Sequence, residues 1–196
     1  MSRIGRQPVP IPEKVEVSFS GAKVRVKGPL GELSFELPAV VKAEKKGSEV
    51  VLSADDSDPR VRALYGTARA LVANMVHGVS QGFQEIVEIV GLGYKAEPDG
   101  QKLMLSLGYS HKVPFDVPRD IKIEVDKKQT VLTLKSFDKQ LLGATVARLK
   151  ALRPTEPYKG TGIRRKGDRI IKKAGKTAAG VMAGAGAGAG AGGAKK

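Results

Sequence analysis

The sequence predicts an α+β fold of two similar tandem domains. Each is a small, mostly antiparallel sheet packed on one helix, and the pair is followed by a basic C-terminal extension and a flexible Ala/Gly tail. Three observations lead there. The chain repeats itself: Gly21-AKVRVKGPLGELSFEL-Pro38 reads against Gly100-QKLMLSLGYSHKVPFDV-Pro118. Both stretches open on Gly-x-Lys, alternate apolar residues, turn at a glycine, alternate again and close at proline. Val50-VLS is then matched by Val131-LTL, and Leu64-YGTARAL by Leu142-GATVARL, with an offset of about 80 residues that suits a duplicated domain rather than a solenoid unit. The second observation is that apolar residues recur every second position through most of each half and every third or fourth position at its end. The third is that the positive charge is concentrated in the last quarter of the chain.

In the first half, Val15, Val17 and Phe19 mark one strand, Val24 and Val26 a second, Leu33, Phe35 and Leu37 a third, and Val50 and Leu52 a fourth. A helix follows. Asp58 can cap it by accepting from a free N–H of the first turn, and Pro59 at the first helical position has no donor to waste. Its apolar face is Val61, Leu64, Tyr65, Ala68, Leu71, Val72, Met75, Val76 and Val79, with Gly78 and Gly82 as stop signals. The boundary falls at Gly82–Phe83, giving domains 1–82 and 83–176. In the second half the strands are Ile86 to Val90, then Leu103, Leu105 and Leu107, then Val113, Phe115 and Val117, then Ile121, Ile123 and Val125, and last Val131, Leu132 and Leu134. The second helix starts near Asp138, buries Leu141, Leu142, Val146 and Leu149, and stops before Pro154. Residues 177–196 are almost all Ala and Gly and read as a flexible tail, because they offer no apolar surface to offset the entropy of ordering.

Composition narrows the chemistry. The chain of 196 residues has no cysteine, which removes disulfides, thiol catalysis, iron–sulfur clusters and Cys-ligated zinc together. Its two histidines, His77 and His111, are too few for a histidine metal site. Asp55-Asp56-Ser57-Asp58 starts like a calcium loop, but Val61 and Thr67 stand where such a loop needs Gly and Glu. No phosphate-binding glycine loop, nucleophile elbow or zinc-protease motif occurs. No apolar run approaches the roughly 18 to 20 residues of a membrane span. The expectation is therefore a cytoplasmic protein with no catalytic residues, cofactor or metal.

The net charge is +14. Residues 148–196 hold 13 basic side chains and two acidic ones, Glu156 and Asp168. A solvated face usually mixes signs; this run does not, so it reads as a polyanion-binding segment. Within it, Glu156-PYKGTGIRRKGD has the chemistry for a folded nucleic-acid backbone. Tyr158 offers a ring and a hydroxyl, and Thr161 a second hydroxyl. Gly160 and Gly162 allow close backbone approach. Lys159, Arg164, Arg165 and Lys166 bring charge, and a guanidinium can fork onto phosphate. Arg153 precedes the motif and Arg169, Lys172 and Lys173 extend it, completing the expected RNA-binding set. The chain has five Phe, four Tyr and no Trp, and most of the Phe lie at core positions. Phosphate and shape recognition of a structured RNA is thus expected ahead of base stacking. His111, in the hairpin turn Gly108-YSHK, reads as a polar turn residue, with an RNA contact as the alternative.

Several motifs together resemble a known family. They are Ser2-RIGRQPVPIP, Val26-KGPLGELS, Tyr65-GTARALVANMVHGVSQGF, Ile89-VGLGYKAE, Leu107-GYSHKV, Asp138-KQLLG and Glu156-PYKGTGIR. The chain is similar to the bacterial ribosomal large-subunit protein six family from Met1 to Lys176. Its final motif departs from the family's usual PEPYKGKGIRY by Thr161 for Lys and Arg165 for Tyr. The resemblance implies two similar α+β domains and a structural, non-enzymatic role in translation. It implies binding to large-subunit ribosomal RNA, chiefly through the C-terminal domain and its basic extension. It also implies a place near the sarcin–ricin loop and the base of the factor-binding stalk, beside neighbouring large-subunit proteins and docked translational GTPases, with no membrane partner. The competing expectation is a free-standing structured-RNA-binding or RNA-chaperone protein, which would need the basic run but not the whole string of motifs.

Overall fold

A computed structural model describes residues 2–54 and 58–176. The first domain runs β1 (Val9–Pro10), β2 (Glu16–Ser20), β3 (Lys23–Lys27), β4 (Glu32–Glu36), β5 (Val41–Lys46), β6 (Glu49–Ala54) and α1 (Pro59–Ser80). The second runs β7 (Phe83–Val90), β8 (Lys95–Asp99), β9 (Lys102–Ser106), β10 (Val113–Asp116), β11 (Lys122–Val125), β12 (Val131–Ser136), α2 (Lys139–Leu152) and β13 (Gly162–Arg165). All pairings are antiparallel.

The duplication is visible in the strand order. The first domain has sheets β1-β6-β5 and β2-β3-β4; the second has β7-β12-β11 and β8-β9-β10, so each strand has its counterpart. The one addition is β13, which pairs with the free side of β7 and makes that sheet four-stranded. Each domain has its own core. In the first, Val24, Val26 and Val50 meet Val72 and Val79 of α1, all fully buried. In the second, Leu103, Leu105, Leu132 and Leu134 meet Leu142, Val146 and Leu149 of α2. Each such side chain contributes roughly 1.5–3 kcal/mol by leaving water.

Both helices begin where the sequence places them. Asp58 accepts from the Arg60 N–H at 2.9 Å, and Asp138 from the Gln140 and Leu141 N–H groups at 2.8 and 3.3 Å. Of the two expected stop signals, only Gly82 ends α1: it takes φ +77° and donates to Gly78 O at 2.9 Å. Gly78 lies inside the helix, where a Cβ would strike the carbonyl oxygen of Phe137 in the second domain. Leu64, expected on the buried face, is 43% exposed, and Leu141 is only half-buried. Asp55–Ser57 and the Ala/Gly tail, residues 177–196, lie outside the described residues.

The two domains meet along one seam. A Cβ at Gly31 of the first domain would sit 3.2 Å from the Phe137 ring of the second. Lys139 donates to Asn74 Oδ1 at 3.3 Å and lies 5.4 Å above the Phe83 ring. Among the described residues, no helix is long and apolar enough to cross a membrane, and no three His, Asp or Glu side chains are grouped to hold a metal.

Candidate nucleic-acid interface

The basic segment is anchored through β13, a strand the apolar pattern does not announce. Gly162–Arg165 pairs with Val90–Val87 of β7, and Ile163 is fully buried in the second core. Backbone bonds fix the flanks. The Ile163 N–H donates to Arg153 O at 2.9 Å, the Lys166 N–H to Ile86 O at 2.9 Å and the Lys173 N–H to Pro157 O at 2.9 Å. The Glu156 N–H donates to Thr161 O at 2.8 Å, closing the turn over Tyr158 and Lys159.

This anchoring divides the sequence-predicted site residues. Gly160 and Gly162 are buried, and their conformations serve the fold. Gly160 has φ +76° and its N–H is spent on Glu156 O at 3.1 Å. Gly162 has φ +133°, and a Cβ there would lie 2.7 Å from Pro154 O and 2.8 Å from Thr155 Cα. The demand for glycine comes from the chain's own backbone at that point. The Thr161 hydroxyl donates to Glu156 Oε2 at 2.9 Å. Arg164 is half-buried, and its Nε and Nη2 both donate to Glu88 Oε2 at 2.9 Å, so its charge is compensated internally. Arg165 is half-buried, and its backbone N–H reaches Asp168 Oδ2 at 3.4 Å.

The remaining cations face outward. Lys159, Lys166, Arg169, Lys172 and Lys173 are exposed and have no acidic partner among the described residues. Tyr158 is 53% exposed between Pro157 and Lys159. Asp168 does not neutralise this face, because it is committed to Lys150 on α2 at 2.7 Å. The Lys150 ammonium, donating to Asp168, holds that carboxyl below the usual carboxylate range. The pair clasps the segment to the helix. A shallow cavity of about 410 Å³ lies beside it, lined by Lys150, Thr155, Pro157, Asp168, Arg169 and Ile171.

Arg153, just past α2, belongs to a second cluster. Its guanidinium lies 5.3 Å from the Tyr109 ring centroid, and the neighbouring Tyr109 and Tyr94 hydroxyls favour its charged form even beyond its usual range. The Tyr109 hydroxyl donates to Leu152 O at 3.0 Å, and the Tyr109 and His111 rings stack 6.2 Å apart at 23°. Sequence reading did not include Tyr94 and Tyr109 in the site. The signal was present in the paired motifs Gly91-LGY and Gly108-YSH, but only the fold brings these turns to the end of α2.

Comparison with known proteins decides the family. The family model for ribosomal protein L6 matches twice, over residues 11–82 and 90–166, one match for each copy of the repeat. The chain belongs to the ribosomal protein L6 family. It is similar to the large ribosomal subunit protein uL6 of Synechococcus sp. (strain RCC307), 49% identical over 90% of this chain and 98% of that one. It is also similar to the uL6 proteins of Nostoc sp. (strain PCC 7120 / SAG 25.82 / UTEX 2576), 48% identical over 92% of this chain and 98% of that one, and of Desulfatibacillum aliphaticivorans, 48% identical over 91% and 100%. Members of the ribosomal protein L6 family are structural proteins of the large subunit, not enzymes. The second family match ends at Lys166, so Arg169, Lys172 and Lys173 lie beyond it.

Proposed function

We propose that this chain is a structural constituent of the large ribosomal subunit whose second domain holds ribosomal RNA through the segment Arg153–Lys173. The observation that carries this reading is the set of five exposed, acid-free cations, Lys159, Lys166, Arg169, Lys172 and Lys173, on a segment anchored by β13. Phosphates would be neutralised by these side chains, while Tyr158 and the turn around it meet the sugar–phosphate backbone. Arg164 and the two buried glycines shape the segment, and Arg165 and Thr161 set its edge.

The resemblance of the motifs supports a position near the sarcin–ricin loop and the base of the factor-binding stalk, where translational GTPases dock on the assembled subunit. Neighbouring large-subunit proteins would surround the chain. The division at Gly82–Phe83 belongs to the same proposal, with RNA contact assigned mainly to residues 83–176. In the test, tagged full-length chain expressed in bacteria is fractionated by sedimentation. Recovery with large subunits that withstands moderate salt is the expected result. Recovery only as free protein at the top of the gradient would overturn the ribosomal reading in favour of a free-standing RNA-binding protein.

A further inference from the structure

The two copies of the repeat set an equivalent turn against the end of an equivalent helix. Between β3 and β4, the turn Gly28–Gly31 reaches the end of α1, where Leu30 bonds Val79 O. Between β9 and β10, the turn Leu107–Lys112 reaches the end of α2, where Tyr109 bonds Leu152 O. The first turn is used inside the molecule, with Phe137 of the second domain against Gly31. The second keeps exposed surface, although Arg153 lies over Tyr109. Tyr109 is 45% exposed and His111 is exposed, so a stacked ring pair faces outward.

Tyr109 is held by its bond to Leu152 O. Tyr94 packs between Gly91 and Gly108, where any Cβ would press on its ring, and this ties the two turns together. Arg153 lies over Tyr109 at 5.3 Å. Leu92, fully exposed at the tip of the Gly91–Tyr94 turn, adds an apolar point to the same end of the domain. Ordered aromatic rings with an exposed face beside a cation make a platform for a flat, electron-rich ring.

We propose that the Tyr109–His111 pair, backed by Arg153, is a stacking site for one unpaired base of the RNA that the adjoining basic segment holds. This rests on the reading given under Proposed function. The cations supply binding that depends on phosphate number, and the rings supply a contact that a continuous duplex cannot make, because its bases are stacked on each other. The open turn thus adds discrimination for a looped or bulged RNA.

The experiment compares two RNA probes with full-length protein across a salt series. One is a large-subunit RNA fragment containing the sarcin–ricin loop; the other is an uninterrupted duplex with the same number of phosphates. Among the described residues His111→Ala breaks no hydrogen bond, and Tyr109→Phe keeps the ring while removing the bond to Leu152. His111→Ala and Tyr109→Ala are expected to weaken binding of the looped fragment by about tenfold with an unchanged salt slope. Both should bind the duplex like the unaltered protein, and Tyr109→Phe, which keeps a ring, should lose less on the looped fragment than Tyr109→Ala. Unchanged affinity of His111→Ala for the looped fragment overturns the stacking site, and so does an equal loss on both probes. If the unaltered protein itself bound neither probe in a salt-dependent way, the reading under Proposed function would fall first and the stacking site with it.

Discussion

At Gly162 a single missing methyl group decides where the basic segment lies. Its φ of +133° is a region that side chains disfavour, and the atoms a Cβ would meet are backbone atoms of Pro154 and Thr155, which cannot rotate away. Gly162→Ala should therefore destabilise the protein by on the order of 1–3 kcal/mol, read as a lower urea midpoint. A glycine needed only for ligand approach would leave that midpoint unchanged. Composition alone could not separate these two reasons for a glycine, since both leave the same letter in the sequence. The same limit applies to Arg164. It reads as one more free cation until β7 and β13 bring Glu88, 76 positions away in the chain, against it.

At the scale of the element, β13 shows why part of the site was illegible. Its sequence, GIRR, has one buried apolar residue and two cations and offers no alternation to detect. It is a strand because β7 has an open edge, a long-range fact. The charged edge strands β5 (VKAEKK) and β8 (KAEPD) escaped the sequence reading for the same reason, and β1 is only two residues long. The strands that were legible are the half-buried ones with strict alternation, such as β3 and β9, and the helices were legible through their aspartate caps. The Lys150–Asp168 clasp makes a pH-dependent prediction at this scale. Because the Asp168 carboxyl titrates lower in the folded chain than in the unfolded one, its contribution is present above the ordinary carboxylate range, roughly pH 4, and fades as pH falls through its own lower value. Asp168→Asn should thus lower the urea midpoint at pH 6. The difference from the unaltered protein should shrink as the pH approaches 3; a difference that grew instead would show that the clasp is not what the substitution removed.

At the scale of the whole molecule, the duplication has been put to two uses. In the first domain the end of the helix and its turn face the second domain, through Gly31, Gly78 and Phe137. In the second domain the corresponding end carries β13, the clasp and the ring cluster. On the proposed reading, the first domain is a spacer and support and the second the RNA-holding unit. Residues 83–176 expressed alone should fold and keep the salt dependence of the full chain for the large-subunit RNA fragment, with stability reduced by the loss of the seam. Residues 1–82 should bind that fragment weakly. Equal binding by the two halves would remove the assignment of RNA contact to the second domain.

The central claim is that the exposed, acid-free cations of residues 159–173 anchor the chain to RNA phosphates. Its most direct test is the slope of log affinity against log salt for the large-subunit RNA fragment, measured on three proteins: unaltered, the triple substitution Lys159→Gln/Arg169→Gln/Lys172→Gln, and Arg164→Gln alone. Each released phosphate contact should flatten the slope by about 0.7 to 0.9, so the triple substitution should flatten it by roughly two to three units. Arg164→Gln should leave it nearly as steep as in the unaltered protein, since Glu88 already holds that charge. A triple variant with an unchanged slope, or a larger effect from Arg164 than from the three outward cations, would contradict the account.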